Sequence, residues 1–468
     1  MKIKELIKQD EGFRYVADSM EFRSSAGRRC MLESAYLTTA AGLEAEWDRT
    51  EAVMAAIRAD GHQGAYKALQ QSLMQMHDLQ GTVAALAERR VLNEVDLFEI
   101  KNLAALNQKA RAALAELGLD GTLPLPDLAE VFALLDPDGT GTVSFYIYDS
   151  YDPRLAPLRQ QLRSLPKDDG QAGRSAELFA EQERIEQEVC TRLATRLQAR
   201  ADAIGRSLEQ MAYTDFLLAK TGLALQWGLT RPAIGDTIAY GQLFNPRLRH
   251  RNESLGLRYQ AVDIAAPAGA TLITGANMAG KTVLLKSLAT AQLMIQCGLY
   301  APAASASVPL FERVETSIGD GQNEMNGLSS YASEIIRISQ ILQLGRRQRA
   351  LILIDEPART TNPVEGKAIV ESLVGILMRQ SSTSLITTHY SGIGKGCRKL
   401  RVRGFVEGLS TAQITPSTIN QFIDYSLVED HGDAVPREAL RIADILGCDA
   451  ELIALANEEY QQTKHLQQ

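Results

Sequence analysis

The sequence has few cysteines, and they are scattered. Cys30, Cys190, Cys297, Cys397 and Cys448 are odd in number, far apart and without a C-x-x-C pair. This spacing excludes a disulfide framework and a cysteine zinc site, and it fits reduced thiols. Long apolar runs are also missing. No stretch approaches the roughly 20 uncharged apolar residues of a membrane span, and the opening MKIKELIKQDEGF has lysines with no apolar run behind them, unlike a signal peptide. The chain is expected in the cytoplasm, with no membrane partner. Nor is there an excess of positive charge. The 49 basic and 57 acidic residues leave a net charge of −8, so a DNA contact would need a local basic patch.

What is present fills more than one core. The 468 residues are 45% hydrophobic, and a chain of this length normally divides into domains. Up to about residue 230 apolar residues recur at spacings of three and four, as in EWDRTEAVMAAIRAD, GAYKALQQSLMQMHDLQGTVAALAERRVL and the long run from Ser175 to Gln226. That periodicity predicts amphipathic helices. The third run carries charge on most faces until Ile204, so it is expected to reach into solvent or along a partner as a lever, or else to be an ordinary surface helix. The aromatic stretch VSFYIYDSY reads as a short strand. From about residue 231 the apolar blocks ATLITG, ALILID and TSLITTH alternate with helical stretches, the texture of buried parallel strands with crossover helices.

GANMAGKT, residues 275 to 282, satisfies G-x-x-x-x-G-K-[ST] between a strand and a helix. In that context Gly275 and Gly280 let the backbone curl its N–H groups around phosphates at a helix N-terminus. Lys281 neutralises the β and γ phosphates, and the Thr282 hydroxyl holds Mg²⁺. LILIDEP ends a second strand in two carboxylates, Asp355 to fix Mg²⁺ and Glu356 to polarise the attacking water. His389, at the end of TSLITTH, is placed to sense the γ phosphate or hold the lytic water, or is structural. The expected chemistry is hydrolysis of ATP to ADP and phosphate, with ATP and Mg²⁺ as cofactors.

Two other signals are weaker. DPDGTGTVSFYI sets Asp136, Asp138, Thr140 and Gly141 at the spacing of a calcium loop, but Ile147 stands where a bidentate Glu is needed, so a turn is expected. Arg247, Arg249, His250, Arg251 and Arg258 form one basic cluster, and Arg398, Lys399, Arg401 and Arg403 another. They read as phosphate-backbone contacts or as a solvated or subunit-facing surface.

The run TGANMAGKTVLLKSLATAQLMIQCGLYAPA, then GLSSYASEI, LILIDEPARTTNPVEGKAI and TTHY, resembles the ATPase domain of the MutS mismatch-repair family in order and spacing. Lys281 and Asp355 are 74 residues apart, too close for the helical insert of transporter-type ATPases. The resemblance implies an α + α/β fold: an N-terminal helical core and lever (1–230), a P-loop ATPase α/β domain of MutS (ABC-like) type (231–425) and a C-terminal helical dimerisation segment (426–468). It also implies that Ala276, Asn277, Met278 and Ala279 shape the phosphate loop and that adenine stacks on Tyr259. Ser329 would reach the γ phosphate of the other subunit of a homodimer, and Arg359 would lie at the dimer interface. The sequence departs from the family at Ala279, at Thr282-Val283 and at Thr360, Asn362 and Pro363. Phe179-Ala180-Glu181 has the letters of the family's mismatch wedge but falls within the charged helical run, and the chain is not expected to read mismatches alone. The resemblance implies an ATP-driven dimeric switch that grips duplex or branched DNA. Alternatively, as in the KamC-type subunit of lysine 5,6-aminomutase reactivase, it would remodel a partner enzyme such as an aminomutase.

Overall fold

The computed structural model describes residues 1–165, 172–276, 279–319, 330–406, 422–430, 440, 443 and 447–466. Up to Trp227 the described chain is helical: α1 (Ile3–Gln9), α2 (Glu11–Asp18), α3 (Ser25–Glu33), α4 (Ala40–Arg58), α5 (Gln63–Met74), α6 (Gln80–Ala87), α7 (Glu94–Glu116), α8 (Ala129–Leu135), α9 (Leu155–Ser164), α10 (Ala172–Gln198) and α11 (Ala201–Trp227). Local chemistry sets several ends. Asn93 and Asp96 exchange capping hydrogen bonds at the start of α7, and Gly228, at φ 64°, closes α11 in left-handed backbone.

Strands then alternate with helices: β1 (Ala233–Ile234), β2 (Ile238–Leu243), α12 (Pro246–Ser254), β3 (Val262–Ala266), β4 (Gly269–Thr274), α13 (Lys281–Gln296), β5 (Ser305–Val308), β6 (Arg313–Ser317), α14 (Ser330–Gly345), β7 (Ala350–Ile354), α15 (Pro363–Leu377), β8 (Thr383–Thr387), β9 (Arg398–Phe405), β10 (Ile423–Glu429) and α16 (Ala450–Leu466). They build a four-stranded sheet in the order β1-β5-β2-β3 and a six-stranded sheet in the order β10-β9-β4-β8-β7-β6. The larger sheet is parallel except for β10, which runs antiparallel to β9. Strands β4, β7 and β8 are buried at every residue, which requires cover on both faces. Ile273, Leu351, Leu353 and Leu385 face the side of α13, whereas Leu272, Ile352, Ile354 and Ile386 face the cluster that holds residues of α14 and α15. The alternation follows the two-residue period of a strand.

Four features bear on the sequence expectations. The first concerns α10, which does not project: of its two expected readings the ordinary surface helix holds. Ile185, Val189, Leu193 and Leu197 are spaced by four and buried, and α10 lies along α9 and α6. A narrow stripe is enough to seat a helix whose other faces are charged. Second, residues 143–151 form no strand. Phe145, Tyr148 and Tyr151 pack edge to face and tilted, and Tyr148 covers Lys101, whose Nζ donates to Asp136 (3.1 Å), Ser144 O and the Tyr148 hydroxyl. Asp136 also accepts from Thr140 and the Gly141 N–H, so the loop is the expected turn. Third, β10 continues the sheet to Glu429, past the edge placed at residue 425. Fourth, the change of texture near residue 230 falls just after Gly228, but the apolar packing does not divide there. One core joins Ile3, Leu6, Phe13 and Trp47 to Leu285, Leu288 and Ile295 of α13, and α11 enters both this core and the helical one.

The five cysteines form no disulfide. Among the described residues no helix is long and apolar enough to cross a membrane.

Candidate nucleotide site

Strand β4 delivers the chain into the glycine loop. Gly275 (φ 141°) and Gly280 (φ 74°) adopt positive φ, where a side chain is strained. Space is tight as well: a Cβ would lie 3.2 Å from Val402 Cβ at Gly275 and 3.0 Å from Tyr425 Cδ1 at Gly280, so either neighbour would have to give way. Gly280 is the N-cap of α13, so the first N–H groups and the positive end of that helix face the loop. Lys281 is 3% exposed. Its Nζ donates to Gly275 O (2.7 Å) and Ala276 O (3.0 Å) and lies 3.2 Å from Glu356 Oε1. Ala279 is buried in the apolar core, so its methyl is accommodated.

The sheet order brings the remaining chemistry to the same edge. β4, β8 and β7 are parallel neighbours, and their C-terminal ends bring Gly275, Thr387 and Asp355 together, as expected of a ligand crevice in an open α/β sheet. Both oxygens of Asp355 accept a hydroxyl: Thr282 Oγ1 donates to Oδ2 at 2.7 Å and Thr387 Oγ1 to Oδ1 at 2.6 Å. The Glu356 N–H donates to Thr387 Oγ1 at 2.9 Å. Glu356 (φ 43°) and Ala358 (φ 58°) are non-glycine residues at positive φ, a conformation held only where the surroundings over-determine it. Here the turn is pinned by Glu334, which accepts from the Ala358 N–H (3.3 Å), and by Tyr390, whose hydroxyl donates to Ala358 O (3.1 Å).

Burial lowers the His389 pKa below its ordinary 6.5; Glu356 opposes the shift, and Lys281 and Arg359 add to it. Its imidazole is therefore held neutral at pH 7, able to accept or donate one hydrogen bond. Arg359 is about half exposed, with Nη1 3.8 Å from Glu356 Oε2. Asn362 starts α15 by accepting from the Val364 N–H, with Pro363 in the first turn. Two of the residues that depart from the family pattern thus serve as a helix cap.

Beside the loop opens a cavity of about 380 Å³, lined by Leu248, Leu255, Tyr259, Val283, Val402 and Tyr425 among others. Tyr259 is fixed by the Asn245 N–H, which donates to its hydroxyl at 2.7 Å. The cavity meets the phosphate loop at Ala279 and Gly280, and its apolar and aromatic lining suits a purine. Asn277, Met278 and Ser329 lie outside the described residues. The hydroxyl of Thr282 and the carboxylate of Asp355 form a hard-oxygen pair of the kind Mg²⁺ takes.

Thr387, Tyr425 and Glu334 were missed in sequence. Thr387 sits two residues before His389 in a strand end already marked as chemical, so it carried a signal. Tyr425 and Glu334 carried none, since only the fold brings them to the loop and to the Asp355 turn. Four arginines of the basic clusters pair with carboxylates of the same chain. Arg247 meets Glu11, Arg249 Glu253, Arg398 Glu429 and Arg403 Asp424. His250 bonds the Tyr15 hydroxyl at 2.9 Å, while Arg251 and Arg258 line the cavity.

Residues 271–464 match the family model described as MutS domain V. Endonuclease MutS2 of Thermomicrobium roseum is 32% identical over 292 residues, 60% of this chain and 36% of that protein. Endonuclease MutS2 of Thermus thermophilus is 29% identical over 255 residues, covering 53% and 33%. DNA mismatch repair protein MutS of Thermus aquaticus is 30% identical over 207 residues, covering 44% and 25%. The chain thus spans about a third or less of the length of these relatives. Residues 271–464 are thus similar to domain V of the MutS proteins.

Proposed function

We propose that the chain is an ATP-hydrolysing switch that works as a homodimer and grips duplex or branched DNA. The observation that carries the hydrolytic part is the convergence of Lys281, Thr282, Asp355 and Glu356 at the mouth of an apolar cavity. ATP enters with its base against Tyr259 and its phosphates over the N-terminus of α13. Lys281 exchanges the carbonyls of Gly275 and Ala276 for phosphate oxygens. Thr282 and Asp355 hold Mg²⁺, which when bound draws charge from the β and γ phosphates.

Glu356 accepts a proton from the attacking water as its oxygen bonds to the γ phosphorus. The bond from that phosphorus to the bridging oxygen breaks, and its electron pair leaves with ADP. Neutral His389 orients the water or the γ phosphate. Ser329 of a second copy completes each site, with Arg359 at the same interface, so ATP closes the dimer and hydrolysis reopens it. Residues after β10 join the two copies, supported by Leu452 and Leu455, which α16 leaves more than half exposed. The core that joins α1, α2, α4 and α11 to α13 supports transmission of closure to the helical region.

DNA as the client is supported by the relatives, an endonuclease and a DNA mismatch repair protein. A second reading, remodelling of a partner protein such as an aminomutase, is favoured by the pairing of the basic clusters with carboxylates of the same chain. ATP hydrolysis at physiological salt separates them, measured alone, with linear duplex and with a four-way junction. The DNA reading predicts that one of the two DNAs changes the rate. Equal rates in all three would overturn it in favour of a protein client.

A further inference from the structure

Strand β8 carries three hydroxyl side chains that are fully buried, Thr383, Ser384 and Thr387. They share the environment of a central parallel strand, yet the hydroxyls of Thr383 and Ser384 have no hydrogen-bond partner among the described residues, whereas that of Thr387 has two. It donates to Asp355 Oδ1 at 2.6 Å and accepts from the Glu356 N–H at 2.9 Å. A hydroxyl has one proton to give. Because that proton goes to Asp355, a lone pair is left for the Glu356 N–H, and the two bonds are coupled through one atom.

We infer that Thr387 is a positioning residue that sets the Mg²⁺ carboxylate and the general base as one unit. This inference rests on the hydrolytic reading of Asp355 and Glu356. On one side, Thr387 fixes the rotation of the Asp355 carboxylate, so that Oδ2 faces Thr282. On the other, it anchors the peptide that enters Glu356, whose positive φ of 43° would otherwise relax. Asp355 and Glu356 are adjacent in sequence, but consecutive side chains at a strand end diverge, and the hydroxyl of a neighbouring strand supplies the common reference. Groups that orient metal-holding side chains in this way typically affect metal affinity or activity by about 10- to 100-fold.

The test compares Thr387→Val, which keeps shape and removes the hydroxyl, with Thr387→Ser, which keeps the hydroxyl. Three quantities are read: kcat, the Mg²⁺ concentration giving half-maximal hydrolysis, and binding of a fluorescent ATP analogue in EDTA. For Thr387→Val, kcat should fall at least about tenfold and the Mg²⁺ requirement rise several-fold, with metal-free nucleotide binding kept within about twofold. Thr387→Ser should recover most of both losses. A merely structural threonine would not move the Mg²⁺ requirement. The inference is overturned if Thr387→Val keeps native kcat and Mg²⁺ dependence, or if Ser and Val lose activity equally. Should Thr387→Val fail to fold, Thr387→Cys replaces it. Its thiol is a weak donor of similar size, so its kcat should lie between that of Thr387→Ser and about a tenth of native, with a Mg²⁺ requirement above that of Thr387→Ser; native values there overturn the inference. Glu356→Gln, assayed beside them, separates the two failures. If it hydrolyses ATP at the native rate, the reading of the site itself falls. If it is inactive while Thr387→Val is normal, only the role of Thr387 falls.

Discussion

Three lysines, Lys101, Lys220 and Lys281, are each no more than 3% exposed, yet the two regions that hold them use them differently. In the helical region Lys101 is satisfied by Asp136, Ser144 O and Tyr148. Lys220 of α11 pairs with Glu46 of α4, which also accepts from Arg49 and Tyr213. Lys220 lies between helices and Lys101 between α7 and the turn that follows Asp136, and neither lines the described cavity. Lys281 holds two carbonyls of a loop bounded by glycines at positive φ and a carboxylate on a residue that is itself at positive φ. A helix N-terminus and a cavity adjoin it. A buried paired lysine is therefore no sign of a site by itself. Strained backbone, a helix end and adjacent space distinguish the working cation from the structural ones.

The comparison is sharpened most by removing the cation from each region. Lys281→Ala should lower ATP affinity by at least about a hundredfold and abolish hydrolysis, since a phosphate-loop lysine acts as a point charge on the β and γ phosphates. Lys220→Met should do the reverse, costing about 3 kcal/mol of stability because Glu46 stays buried without its main partner, with ATP affinity unchanged. Calorimetry and nucleotide titration on both variants check the pair, and adding Glu46→Gln to Lys220→Met should restore part of the stability.

How much of this contrast could be read from the sequence depends on how local each feature is. The phosphate loop was legible because its strand, glycines, Lys281 and Thr282 are contiguous, and Asp355 and Glu356 because an apolar strand runs straight into them. Thr387 is flagged locally only by its nearness to His389, and Tyr425 reaches the same place only through the strand order β10-β9-β4-β8-β7, which no local pattern encodes. The segment 143–151 was misread because aromatic residues suit a strand and a cluster over Lys101 equally well. α10 reads as either a lever or a surface helix because its charges outnumber the four-spaced residues that seat it. The core shared across residue 230 arises from tertiary packing of α1, α2 and α4 on α13, to which texture along the chain is blind.

A smaller effect tests that shared core. Gly12, in α2, lies against Thr290 of α13, whose hydroxyl donates to the Asp10 cap of α2 at 3.0 Å; a Cβ at Gly12 would overlap Thr290 Oγ1. Gly12→Ala should cost about 1 to 3 kcal/mol through overpacking, read by denaturant midpoint. If the first helices were loosely attached to α13, the midpoint would not move.

The smallest effect concerns His389. Its folded pKa lies below the ordinary 6.5, chiefly through burial, so as pH falls through that value the unfolded chain takes up a proton that the folded one does not. The stability involved is present above about pH 6.5 and lost as pH falls. Native protein should lose melting temperature between about pH 7 and pH 5.5 more steeply than His389→Asn. His250, also depressed by burial, is common to both proteins and cancels in the comparison.

The most direct test of the account is phosphate release from ATP by Glu356→Gln, measured beside its equilibrium ATP binding. The account predicts ATP binding at native affinity with release slowed by about a hundredfold or more, the contribution expected of a general base. Native-rate hydrolysis by Glu356→Gln would contradict it, because Glu356 would then be only a counter-ion to Lys281, as Glu46 is to Lys220.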